Sequence, residues 1–211
     1  MRWLLLTCAL ASTAWADDEE PGQDWSLVGA RTVPPKDNLL EAELGYPASV
    51  SYLRGVLPGV NVGGRAGFIY AIEGLTRDIA PGFKGQVLFR LRFFDAGKLS
   101  LGLTFEPGFF IASATLQGLR SGLNLPLGLR LGIAASSAFA IGVQLEVPVW
   151  FEFGPYGGFN FPILTGGGVE YFITSNLALF VKARLGPTIR VHRPAEVVFD
   201  ASVGIGYRFG D

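Results

Sequence analysis

Cysteine is almost absent from this chain. The one copy, Cys8, falls within the first 16 residues, which leaves residues 17–211 without a disulfide or a thiolate metal site. Histidine also occurs once, as His192, beside Arg190 and Arg193. A histidine base needs an acid or a nucleophile held against it, and the spacing of His192 with Asp37 or Asp78 does not build such a set. Charged residues make up 17% of the chain, low for a soluble domain, where about 25% is usual. Net charge is −1, which excludes a broad basic surface for nucleic acid. No stretch beyond residue 16 approaches the ~20 apolar residues of a spanning helix. Carboxylates and His192 form no cluster with metal-ligand spacing. The Gly166-Gly167-Gly168 run lacks the Lys-Ser/Thr of a phosphate loop and reads as Gly-rich sheet. No cofactor, no metal and no enzymatic activity are therefore expected.

Glycine and aromatic residues, in contrast, are abundant: 29 Gly, and 13% Phe, Trp and Tyr. Residues 1–16 read as a secretory signal. Arg2 is the charged start, residues 3–10 the apolar core, and Ala14-Trp15-Ala16 the small-x-small cleavage pattern. Residues 17–24 (DDEEPGQD) form an acidic, flexible N-terminal tail. Residues 25–211 are assigned to one β domain.

Hydropathy in that domain repeats every second residue. In residues 60–73 one face is Val60, Val62, Gly64, Ala66, Phe68, Tyr70 and Ile72. The other is Asn61, Gly63, Arg65, Gly67, Ile69, Ala71 and Glu73. Side chains alternate across a strand, so each such segment has one apolar face and one mixed, Gly-rich face. The pattern recurs at 39–52, 83–94, 99–106, 123–133, 139–153, 161–173, 177–191 and 197–209, making nine strands. Tight turns at 54–59, 95–98, 136–138 and 174–176 alternate with longer connections at 74–82, 113–122, 154–160 and 192–196. Short turns at one end and longer loops at the other, on strands apolar on one side, describe a closed antiparallel transmembrane β-barrel. An even strand count with both chain ends on one side requires a tenth strand, and residues 25–33 are assigned to it. Splitting 39–52 at Pro47 is the other route to an even count, and eight strands is the alternative size. A soluble β-sandwich or lipocalin-like barrel would turn the same faces the other way. The length of the strands and the charge-free apolar face favour the membrane.

The mixed face then lines the lumen. Its charges nearly balance and are expected to pair across it: Arg65, Glu73, Lys84, Arg90, Arg92, Glu106, Arg130, Glu146, Glu152, Glu170, Lys182, Arg184, Arg190, Asp200 and Arg208, with Glu41 and Glu43. A barrel of this size is filled by side chains, so a packed polar interior is expected, with Gly leaving room for long Arg and Glu side chains. Trp150 is expected to pack inward. Pro47, Pro126, Pro148, Pro162 and Pro187 fall within the proposed strands, where bulges or earlier strand ends are expected.

The last segment, Ser202-Val203-Gly204-Ile205-Gly206-Tyr207-Arg208-Phe209, follows the pattern polar-x-Gly-x-x-hydrophobic-x-aromatic. It resembles the C-terminal assembly signal of small bacterial outer-membrane β-barrel proteins, with Ser202, Gly204, Tyr207 and Phe209 at the pattern positions. Here Gly210 and Asp211 follow the aromatic. The resemblance implies a Gram-negative outer membrane, a lipid bilayer as the main partner, and assembly by the barrel-assembly machinery. The expected role is structural or interaction-based in the cell envelope. A narrow, porin-like pore gated by the charged lumen is the alternative, and an enzyme at the rim comes third. Oligomeric state stays open.

Overall fold

Alternation alone is enough to sort these side chains. Along residues 139–145, Phe139, Ile141, Val143 and Leu145 are exposed while Ala140, Gly142 and Gln144 are buried. In a computed structural model of the protein, residues 24–70, 81–114, 118–153, 158–190 and 193–210 are described, and they contain strands and no helix. The strands are β1 (Asn38–Gly45), β2 (Ala48–Leu57), β3 (Val60–Ile69), β4 (Gly82–Ala96), β5 (Leu99–Phe105), β6 (Gly108–Ala114), β7 (Gly118–Ala134), β8 (Phe139–Phe153), β9 (Gly158–Pro162), β10 (Leu164–Thr174), β11 (Leu177–Arg190) and β12 (Arg193–Phe209).

All neighbours are antiparallel, and the sheet closes on itself. β12 pairs with β1 from Asn38↔Phe209 to Gly45↔Ser202. β5 and β6 both lie between β4 and β7 and form one spanning strand interrupted at Glu106 and Pro107. β9 and β10 likewise share the place between β8 and β11, with a break at Ile163. The result is a closed ten-strand barrel. Closure leaves no edge and satisfies the backbone internally, the condition for sheet in lipid.

The tenth strand does not come from residues 25–33. Those residues form no strand, and the even count comes from the segment expected as one strand at 39–52, which divides at Tyr46-Pro47 into β1 and β2. Proline cannot donate to the ladder, and the chain turns there. The eight residues of β1 are fewer than the ~9–11 typical of a spanning strand.

The other prolines follow one rule. Pro126 and Pro187 sit inside continuous strands, and the carbonyl of each accepts from a break in the neighbouring strand: Glu106 N–H to Pro126 O at 3.0 Å and Ile163 N–H to Pro187 O at 2.9 Å. A strand residue directs its N–H and C=O to the same side, so each missing donor faces an interruption rather than an intact ladder. Pro148 pairs directly with Pro126 without a bulge, and Pro162 ends β9.

Tight turns join β2 to β3, β4 to β5, β7 to β8 and β10 to β11 at one end, where both chain ends also lie; we call this the turn end. Gly59 and Gly97 hold φ of 78° and 65° there, a conformation that favours glycine. At the opposite end the β6–β7, β8–β9 and β11–β12 connections are shorter than the alternation suggested, because β6, β7, β9 and β12 run on into segments assigned to loops, while the β3–β4 connection is longer because β3 ends at Ile69.

The outer surface is apolar on every strand. Among the described strand side chains facing outward between the two ends, Arg54, next to the turn after β2, is the one charge. Leu145→Arg, on this face near the middle of β8, is expected to lower stability by about 2–4 kcal/mol in urea titrations of vesicle-folded protein. Gln144→Glu, one residue away but luminal and opposite Arg130, is expected to retain the fast-migrating unboiled band on SDS gels.

Candidate functional site

The lumen is filled in three layers. Nearest the turn end, the chain before β1 does not pair with the wall but runs around inside it. Residues 24–34 pass successively by β10, β8, β7, β5, β4, β3 and β2 before entering β1. This strap carries Trp25, Leu27, Val28 and Val33, which are buried in one cluster with Leu39, Leu53, Leu88, Ala140, Phe172, Ala178 and Phe180 of the wall. Trp25 meets Phe172 edge to face at 5.2 Å.

Polar side chains hold the strap's backbone. The Glu170 carboxylate accepts from Ser26 Oγ at 2.7 Å, Leu27 N–H at 2.9 Å and Val28 N–H at 3.5 Å. Arg130 donates to Leu27 O at 3.1 Å. The Asn61 amide accepts from Val33 N–H at 2.8 Å and donates to Val33 O at 3.0 Å, closing the pair of bonds a strand neighbour would make. Trp25 Nε1 donates to Ser175 O at 2.8 Å. Arg31 bonds Gly97 O, and Arg208 pairs with Asp24 and Asp37.

Glycines make the track. A Cβ at Gly142 would fall on the Val28 carbonyl, one at Gly206 within 2.6 Å of the Leu27 side chain, and one at Gly132 within 2.9 Å of Ala30 N. The luminal glycines at this level leave room for the strap rather than for long Arg and Glu side chains. Gly166 and Gly168 do the expected job: they lie opposite Arg184 and Lys182, and a Cβ on either would come within 2.9 Å of those side chains.

The middle layer is ionic. Arg65 pairs with Glu106 at 2.7 Å, Arg130 approaches Glu106 at 3.7 Å, and Arg90 meets Glu41 at 3.2 Å. Lys182 pairs with Glu43 at 2.8 Å, and Arg184 joins Glu146 and Asp200, each at 2.8 Å. Seven of these ten groups are buried, and each meets an opposite charge within the lumen. A cavity of about 30 Å³ remains among them, bordered by Glu43, Arg65, Glu106, Arg130, Glu146 and Arg184. That volume suits ordered water.

The third layer is a small apolar cluster of Ile69, Phe110, Ala112 and Trp150, with Tyr46 packed on it. Trp150 points inward as expected, with Phe110 at 4.6 Å and Lys84 Nζ 4.9 Å from its ring centroid. Glu152 pairs with Arg120.

Most of the sequence-assigned luminal charges thus meet, with several changes. Arg92 pairs with Asp95 at 2.6 Å at the turn-end rim, because a bulge between Arg92 and Phe94 shifts the register. Arg208 lies at the same rim, and so does Asp37. Glu170 holds the strap. Glu73, Asp78, His192 and the side chain of Arg190 lie outside the described residues. The strap, Asn61 and Arg120 were missed. In the assembly-signal segment, Ser202 is buried and pairs with Gly45, while Tyr207 and Phe209 face outward on the strand that closes the ring.

No protein-family model matches this chain, and no curated protein matches it. Solved structures of bacterial outer-membrane β-barrels do. The outer-membrane protease OmpT of Escherichia coli overlaps 82% of this chain and 93% of its own, at 10% identity and a TM-score of 0.49. The in-vitro folded OmpT of Vibrio cholerae, an outer-membrane protein, overlaps 77% of this chain and 55% of its own, at 12% identity and a TM-score of 0.40. These are likenesses to the closed barrel that the strand pairing of this chain already establishes, and neither structure supplies a residue role for it. One expectation is corrected here. That such a chain is not an enzyme no longer follows, because a barrel similar to it is a protease.

Arg184→Met leaves Glu146 and Asp200 as buried carboxylates with one cation removed. Loss of about 3–5 kcal/mol in folded-state stability is expected, measured by denaturant titration in vesicles. Adding Asp200→Asn to that variant is expected to restore part of the loss.

Proposed function

We propose that this protein is an integral β-barrel of the bacterial outer membrane, exported by residues 1–16, that serves in the cell envelope through structural or interaction surfaces, with its lumen closed to solutes. The observation that carries this reading is the succession of strap, ion-pair layer and apolar cluster among the described luminal residues. A pore reading needs a continuous path, and the ion pairs that cross the lumen between strands would have to part to open one.

Orientation follows from the connections. Both chain ends lie at the end where every connection is short, and the long β3–β4 connection lies at the other, which by the rule for outer-membrane barrels makes the turn end the periplasmic one. The strap then enters from the periplasm. Ser202, Gly204, Tyr207 and Phe209 are the proposed contact for the barrel-assembly machinery.

The deciding experiment is single-channel recording on the full-length protein, refolded and added to planar bilayers. The expected record shows no stable conductance steps under applied voltage. Regular steps in every preparation, abolished by closing the lumen with a bulky residue at Gly168, would replace this reading with the pore. For the export step, N-terminal sequencing of the outer-membrane form is expected to begin at Asp17.

A further inference from the structure

The strap is bound in the way a protein binds a peptide ligand. Its backbone is not part of the sheet ladder. It is held by side chains, with Glu170 on consecutive N–H groups, Arg130 on a carbonyl and Asn61 on both groups of Val33. Its apolar side chains fill a groove whose wall is opened by Gly102, Gly132, Gly142 and Gly206. The tethers at its two ends differ. At the β1 end, Lys36 N–H donates to Gly55 O at 2.8 Å and Gly55 N–H to Asp37 O at 2.9 Å, fastening the chain to β2. At the other end Asp24 is half exposed at the mouth, and its ion pair with Arg208 is a rim contact of little strength.

We propose that the inner wall at the turn end of the barrel is a peptide-binding groove whose resident ligand is residues 24–34, and that this strap is exchangeable: it withdraws from its N-terminal end and a peptide of the same sequence takes its place. The ligand class is a peptide bent at residues 27–30 that presents an aromatic residue, then two aliphatic residues whose N–H groups meet Glu170. The groove and its ligand lie on one side of the ionic layer, so withdrawal opens a vestibule and not a through-path. This proposal does not depend on which side of a membrane the turn end faces.

Thiol labelling tests it on the full chain. Ala178 is fully buried in the cluster that the strap completes, and Cys8→Ser removes the one native thiol. In detergent-folded Cys8→Ser/Ala178→Cys protein, a maleimide is expected to react slowly. Trp25→Ala with Leu27→Ala weakens the strap and leaves the groove intact, and is expected to speed the reaction roughly tenfold or more. Added peptide of residues 24–35 is expected to slow it again, and the same peptide carrying both alanines is expected not to. The heat-shifted gel band, run on each sample, confirms that the barrel stays folded. A labelling rate unchanged by the strap substitutions in folded protein, or one that the native-sequence peptide does not lower, overturns the proposal and makes the strap a permanent part of the core. Channel steps in bilayers would overturn the closed-lumen reading and leave this one standing.

Discussion

Ring closure between β1 and β12 puts each described side chain of the barrel wall, between its two rims, in one of two places. It faces lipid, where a charge near mid-bilayer costs about 2–4 kcal/mol. Or it faces a lumen from which water is largely excluded, where a lone charge or an unpaired amide is also costly. The composition and the contacts both follow from that division. Charges are few, they fall on one parity, and inside they meet: Arg184 between Glu146 and Asp200, Arg65 on Glu106, Lys182 on Glu43. A pair of this kind contributes little net stability, because desolvation offsets the attraction. Its consequence is that removing one member is expensive, which ties the identity of each luminal charge to that of its partner on another strand.

The strap solves a second problem set by the same division. A ten-strand ring is wide for the side chains available at the turn end, where the wall carries Ala140, Ala178 and a series of glycines. A strand segment with those residues alone would leave a void, and voids forfeit the dispersion contacts of everything that lines them. The chain fills the space with its own backbone, and the cost of burying that backbone is offset by giving its N–H and C=O groups partners on Glu170, Arg130 and Asn61. Glycine and strap are therefore one feature: a Cβ at Gly142 and the Val28 carbonyl cannot occupy the same place. Arg130 joins the strap to the ionic layer, since it reaches Leu27 O and Glu106 with the same guanidinium.

Period-two alternation made the barrel legible in the sequence, because lipid tolerates so few exceptions on the outer face that the parity of each strand is plain. It also put most strand charges on the inner parity, though it left out Arg120 and did not separate the rim positions of Arg92 and Arg208 from the lumen. The partner of each was not legible, because pairing across a barrel depends on register and shear, which alternation does not encode. Residues 25–33 were misread for a physical reason. Trp25, Leu27, Val28 and Val33 are apolar enough for a strand, but their spacing has no period, and it has none because the segment touches a curved groove rather than one flat face. Asn61 and Gly142 belong to that groove and look like ordinary luminal positions of their strands. The turn at Tyr46-Pro47 was in view as the alternative division. The length rule weighed against it, and β1 is indeed shorter than that rule asks.

The asymmetry of the lumen bears on what the barrel does. An interior built only to resist collapse has no need to differ from end to end. Here one end holds a segment fixed through hydrogen bonds to its main chain, and the other an apolar cluster in which Phe110 meets Trp150 edge to face and Lys84 lies over the Trp150 ring. The first is continuous with the chain's N-terminal side and can respond to whatever acts there. The second belongs to the sheet itself and cannot leave without unfolding strands β6 and β8. Solute passage requires both to open and the ionic layer to part, three events with separate costs. If the interior takes part in function at all, the physical argument places that part at the turn end, where a single segment can move while the ring and its ion pairs stay intact.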